Sequence, residues 1–219
     1  QAGLIAATRQ GRSLIYAARV ERLRALLSFL AGGGPACLFQ PSAETARMTP
    51  APFTVLFLCT RNSARSIMAE AMLNDMGKGR FRAFSAGSEP RQDGPLPAVL
   101  AQLKALGHDV SGLRSKSWDA FTGSDAPRMD FVIALCDTVN LQACPDFEGT
   151  HVTAAWPLPD PAKFSGTATE QATLLNELYA ALHRRLGIFT SLPFGTLDRM
   201  ALKARLDELA QPLGAGARA

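Results

Sequence analysis

From residue 54 onward, short continuous apolar runs alternate with longer stretches of helical period. TVLFLC (54–59) is apolar on both of its alternating faces, and the pattern predicts a fully buried strand followed by a helix through about Met76. RFRAFSAG (80–87), MDFVIALC (129–136) and HVTAAWPL (151–158) read as three further strands. PLPAVLAQLKALG (95–107) carries Pro near its start and Gly past its end, and so reads as a helix. ATEQATLLNELYAALHRRLGIFTSL (168–192) is a long amphipathic helix. GTLDRMALKARLDELA (195–210) is another, with Leu197, Met200, Ala201, Ala204 and Leu206 or Leu209 assigned to its inner side. Strands alternating with helices argue a parallel sheet covered on both faces.

The pattern differs upstream. LIAATRQGRSLIYAA alternates apolar and polar positions around Gln10-Gly11, as a hairpin does. RVERLRALLSFLA then repeats Leu23, Leu26, Leu27 and Leu30 at helical spacing. Residues 32–52 are rich in Gly, Pro and Ala without a period, which reads as a linker. Three segments are therefore expected: 1–31, a hairpin and helix; 32–52, a linker; and 53–212, an α/β domain. A hairpin and one helix are too small to fold alone. The first segment, which lacks an initiator Met, reads as the tail of a domain that begins earlier.

Composition adds bounds. With 219 residues, 47% hydrophobic and 19% charged, the chain has the profile of a globular protein with one well-packed domain. No run reaches the roughly 18 apolar residues of a membrane span, and no signal peptide is visible. Four cysteines (Cys37, Cys59, Cys136, Cys144) are too few for a disulfide scaffold and suit a cytoplasmic protein whose thiols do chemistry. The net charge of +4 comes from residues 1–30, where Arg9, Arg12, Arg19, Arg22 and Arg24 face only Glu21. The charge thus says little about the partners of the main domain.

Chemistry concentrates at CTRNSARS (59–66). Ligands of open α/β sheets bind beyond the carboxyl ends of the strands, and Cys59 ends the first strand of the domain. The loop Thr60, Arg61, Asn62, Ser63, Ala64 leads into a helix opening near Arg65. Backbone N–H groups at such a strand-to-helix turn cradle a tetrahedral oxyanion. The same positive field favours a thiolate. Arg65 adds a clamp for the anion, Ser66 a hydrogen bond to the sulfur, and Asn62 suits a left-handed turn. These features converge on nucleophilic attack by Cys59 on a bound phosphate-like anion.

VLFLCTRNSARSIMAEAM resembles the signature of the low-molecular-weight protein tyrosine phosphatase family and of the thioredoxin-coupled arsenate reductases built on the same fold. The likeness runs from about Thr54 to Ala210. It implies a four-stranded parallel sheet flanked by helices, Cys59 as nucleophile, and a downstream Asp-Pro pair, supplied here by Asp160-Pro161. In a phosphatase that carboxylate is the general acid.

Cys136 and Cys144 separate the two branches. CDTVNLQACP followed by WPLPDP resembles the proteobacterial reductases. A thiolate–arsenate adduct needs a second thiol to expel arsenite, and a third carries the disulfide outward. Cys59, Cys136 and Cys144 fit that relay, with arsenate as substrate and an external thioredoxin-type reductant in place of a bound cofactor. Phosphate or sulfate is expected to occupy the same loop. A phosphatase acting on phosphoesters, or a metalloid-responsive dimer with little catalysis, are the alternatives. Tyrosines common after the Asp-Pro pair of tyrosine phosphatases are absent from AKFSG. Arg61 stands where the family has glycine and Ala64 where it has cysteine, so a need for positive φ at Arg61 would distort the loop. Asn62, Glu70 and Ser85 match positions that hold potassium in some related reductases. The histidines His108, His151 and His183 show no zinc spacing.

TRQGRSLIYAARVERLRALLSFL resembles the wing hairpin and last helix of arsenic-responsive winged-helix repressors, a likeness that implies a homodimer through that helix. The recognition helix is not in this chain, so direct DNA binding is not expected, and Cys37 reads as a linker thiol.

Overall fold

A computed structural model describes strand residues 5–10 and 13–18, then residues 51–136, 145, 147 and 150–210. The chain divides into two compact units, residues 1–49 and 50–219. In the first, β1 (Ile5–Gln10) and β2 (Ser13–Ala18) pair antiparallel, with Gln10 opposite Ser13. The helix expected after this hairpin lies outside the described residues, as do Cys37 and Cys144.

The second unit is built on β3 (Phe53–Cys59), α1 (Arg65–Met76), β4 (Phe81–Gly87), α2 (Pro97–Ala105), β5 (Phe131–Ala134), β6 (Val152–Ala155), α3 (Ala168–Ser191) and α4 (Arg199–Glu208). The four strands form one parallel sheet in the order β4-β3-β5-β6. Each strand and helix expected in this unit exists, with ends within four residues of the expected ones; the first strand begins one residue earlier, at Phe53.

Both faces of the sheet are covered, which explains why its strands lack alternation. Val55, Phe57, Phe131 and Ile133 pack on one side with α1, α3 and α4 residues such as Met68, Leu182 and Leu206. Leu56, Leu58, Val132 and Ala134 pack on the other with Phe121, Met129 and Phe147. α1 is buried from Arg65 through Leu73. α3 begins with a capping box: Thr167 accepts from the Glu170 N–H while the Glu170 carboxylate accepts from the Thr167 N–H at 2.8 Å.

α4 departs from expectation. Its inner stripe is Leu202, Leu206 and Leu209, all buried, whereas Met200 is 84% exposed and Ala204 is also exposed. Positions i, i+4 and i+7 share one face of a helix, and that narrow face meets β6, just past which Trp156 Nε1 donates to the Leu206 carbonyl at 2.8 Å. Trp156 is fully buried.

After β3 the chain crosses to β4 on one side, and after β4 it returns to β5 on the other. The carboxyl ends of β3 and β5 therefore flank the point where the winding reverses, the crevice in which such sheets bind ligands. Leu58 pairs with Ala134, so Cys59, the last residue of β3, and Cys136, two residues past β5, stand at neighbouring strand ends.

Candidate active site

The loop after β3 has a backbone that faces outward with its oxygens. The Thr60, Arg61, Ser63 and Ala64 carbonyls accept from the N–H groups of Glu89 (2.9 Å), Arg91 (3.0 Å), Leu96 (2.8 Å) and Met68 (2.8 Å). The Asn62 carbonyl accepts from the Ser115 hydroxyl at 2.7 Å. In trans peptides the N–H of the next residue points the opposite way, and the described residues contain no cis bond. The amides of residues 61–65 are thus turned into the loop. α1 continues this arrangement: its N-cap is Ala64, with no side-chain cap, and its first turn holds no acidic residue. A helix start without a capping oxygen leaves its donors for an anion.

Asn62 adopts φ 43°, the left-handed turn expected of it. Arg61 is not among the positive-φ residues, so its side chain places no strain on the loop. That side chain is exposed.

Cys59 is 2% exposed and its Sγ lies 3.0 Å from Ser66 Oγ. Asn62 Nδ2 donates to Ser66 Oγ and to Ser85 Oγ, each at 2.8 Å. Ser66 Oγ already accepts, so its own proton is available to the sulfur. Ser85 donates in turn to the Glu70 carboxylate, and Lys116 Nζ sits 3.1 and 3.2 Å from the two Glu70 oxygens. The three residues that the family likeness linked to potassium are thus brought together, with a lysine beside them.

Arg65 is buried, and its guanidinium is held on two sides. Nη1 donates to the Leu158 carbonyl at 3.0 Å and Nη2 pairs with Asp160 Oδ2 at 2.9 Å. Asp160 is the N-cap of the short 3₁₀ turn Pro161–Lys163, where Oδ1 accepts from the Ala162 N–H at 3.1 Å. The two carboxylate oxygens of Asp160 thus have different partners, one in its own turn and one in Arg65. Cys136, buried two residues past β5, approaches Thr60 Oγ1 at 3.6 Å. It lines a cleft of about 420 Å³ with Arg65, Leu158, Asp160 and Lys163. An adjoining cleft of about 370 Å³ is bounded by Thr60, Arg61, Glu89, Asp160 and Lys163.

The structure thus gathers Cys59, Thr60 to Ser66, Cys136 and Asp160 at one sheet edge, while Cys144 falls outside the described residues. Sequence reasoning missed Lys116, Lys163 and Gly87. Gly87 pairs with Cys59 across the strands, and a Cβ there would meet the Thr60 carbonyl at 2.5 Å. A glycine closing a strand beside the loop was the available signal. Nothing in the sequence marked the two lysines.

Residues 54–190 match the family of low molecular weight phosphotyrosine protein phosphatases, and the chain belongs to that family. Among its relatives is the glutaredoxin arsenate reductase of Synechocystis, 35% identical over 108 residues, which are 49% of this chain and 77% of that protein. The arsenate reductase of Bacillus subtilis is 31% identical over 136 residues, 62% of this chain and 93% of that protein. A solved arsenate reductase in its oxidized state is 27% identical, with a TM-score of 0.51, over 63% of this chain and 96% of that one.

Proposed function

We propose that this chain is an arsenate reductase working through a cysteine relay. The observation that carries the reading is Cys136, a buried thiol lining the same cleft as Arg65 and Asp160 and in contact with Thr60 of the anion loop. A phosphatase has no use for it. The names of the relatives from Synechocystis and Bacillus subtilis support the same substrate.

Arsenate binds against the amides of residues 61–65 with Arg65. The Cys59 thiolate attacks arsenic, and Asp160 gives a proton to the departing oxygen, which leaves as water. The Cys136 thiolate then attacks the Cys59 sulfur. The S–S bond forms, the S–As bond breaks, and its electron pair stays on arsenic, which leaves as arsenite. Cys144 attacks the Cys136 sulfur, returning Cys59 as a thiolate and leaving a Cys136–Cys144 disulfide. An external dithiol of thioredoxin or glutaredoxin type reduces that bond, in a cytoplasmic setting.

The test is arsenate-dependent NADPH oxidation coupled through thioredoxin and its reductase, repeated with glutaredoxin and glutathione. Turnover in the wild type, lost in Cys136→Ser with p-nitrophenyl phosphate hydrolysis retained, supports the relay. Hydrolysis without arsenate turnover in the wild type favours the phosphatase reading. For residues 1–31 we propose the wing and dimerisation helix of an arsenic-responsive repressor, which the antiparallel β1–β2 pairing supports. Sedimentation with and without residues 1–40 tests it, and an unchanged association state contradicts it.

A further inference from the structure

Behind the anion loop lies an ion pair that the relay does not use. Lys116 and Glu70 have side chains only 11% and 10% exposed. Their contact ends a continuous chain of hydrogen bonds that starts at the nucleophile. Lys116 holds this chain at a second point, because its backbone N–H donates to Asn62 Oδ1 at 2.7 Å. That bond orients the Asn62 amide, whose two protons then go to Ser66 and Ser85. Ser66 is left to donate to Cys59, and Ser85 to Glu70. Every donor in the series is consistent with an ionised Glu70 at one end and a sulfur acceptor at the other. The Lys116 carbonyl also accepts from Gly87 N–H at 2.9 Å, tying the same residue to the strand end beside the loop.

A carboxylate buried to this degree requires a counter-charge. The family likeness assigned that task to potassium among Asn62, Glu70 and Ser85. The residues as they stand do not fit it. Both Glu70 oxygens face the ammonium, Asn62 Oδ1 is taken by the Lys116 N–H, and Ser85 Oγ is engaged with Asn62 and Glu70.

We propose that Lys116 is the built-in monovalent cation of this site, a positioning residue that replaces potassium and keeps the Glu70–Ser85–Asn62–Ser66 chain directed at Cys59. The proposal rests on the reading of Cys59 as the nucleophile of an anion loop. It does not depend on arsenate being the substrate. The reactivity of Cys59 is then indifferent to potassium in the wild type and becomes dependent on it when the ammonium is removed.

The experiment follows carbamidomethylation of Cys59 by iodoacetamide, read by peptide mass on the reduced full chain. Rates are compared in potassium chloride and in choline chloride of equal ionic strength. Wild type and Lys116→Arg are expected to react equally in both salts. Lys116→Met is expected to slow by about tenfold in choline, the weight of one charge-assisted hydrogen bond, and to recover most of that in potassium. Lys116→Met/Glu70→Gln, which removes both charges and avoids an unpaired carboxylate, is expected to be slow and unresponsive to potassium. Acceleration of the wild type by potassium overturns the proposal, even if the single variant fails to fold. So does a folded Lys116→Met that is unslowed, or slowed without response to potassium. Protection of Cys59 by inorganic phosphate in the same samples reports separately on the anion-loop reading.

Discussion

Replacing Gly87 by alanine adds one methyl group at the point where β4 passes closest to the anion loop. The new Cβ would lie 2.5 Å from the Thr60 carbonyl oxygen, 2.9 Å from Asn62 N and 3.0 Å from the Cys59 carbonyl oxygen. All three are backbone atoms of the loop, so no flexible side chain can move aside. Restoring an ordinary contact of 3.4 Å to Thr60 requires a displacement of 0.9 Å. Overpacking of this kind costs about 1–3 kcal/mol of stability, while a shift near 1 Å in a positioned site costs about 10²-fold in rate. Gly87→Ala is therefore expected to fold with a modestly lower denaturation midpoint and to lose most of its turnover of arsenate and p-nitrophenyl phosphate alike. Urea unfolding followed by circular dichroism, together with both activity assays, measures the two effects. Near-wild-type turnover with normal stability would refute the argument that the loop is held by this close approach.

Two more predictions concern charged groups. Asp160→Asn removes the partner of Arg65 Nη2, which lies at 2.9 Å from the carboxylate. It should lower turnover about 10²-fold through loss of the proton donor, while phosphate inhibits more tightly because the freed guanidinium no longer faces a competing anion. Parallel loss of rate and phosphate binding would contradict this. At the start of α3, the hydrogen bond from the Thr167 backbone, then that from its side chain, lowers the Glu170 carboxyl below its ordinary 4.5. A depressed folded value means stability that is fully present above the ordinary 4.5 and is lost as the pH falls from there through the lower folded value. Glu170→Gln should accordingly be less stable than the wild type at pH 7, and thermal melts of the two should converge in acid. A gap that persists undiminished at low pH would assign the cap to something other than the carboxylate.

The anion loop was legible because several local signals coincided: an apolar strand, a cysteine at its end, an arginine six residues on, and an asparagine suited to φ 43°. The sheet was legible for a related reason, since strands buried on both faces read as unbroken apolar runs. Lys116 was not legible, because its role depends on a contact 46 positions away in sequence with Glu70. The approach of Thr60 to Cys136 spans 76 positions and carries no local trace either. α4 was misread at Met200 because residue type was allowed to outweigh phase. Leu202, Leu206 and Leu209 supply the stripe that faces the sheet, and the methionine falls on the opposite side. Arg61 raised concern only under the assumption that its backbone required the left-handed region, a conformation the loop takes at Asn62 instead.

The central claim is that this chain transfers two electrons to arsenic through its own thiols. The most direct measurement is a single turnover, in which fully reduced protein, freed of external reductant, is mixed with arsenate under anaerobic conditions. Arsenite and protein disulfides are then counted. The account predicts one arsenite and one new disulfide per chain, with Cys136 present in that disulfide. Absence of arsenite from protein that still hydrolyses p-nitrophenyl phosphate would contradict it, and would leave a phosphatase with a buried thiol at its edge.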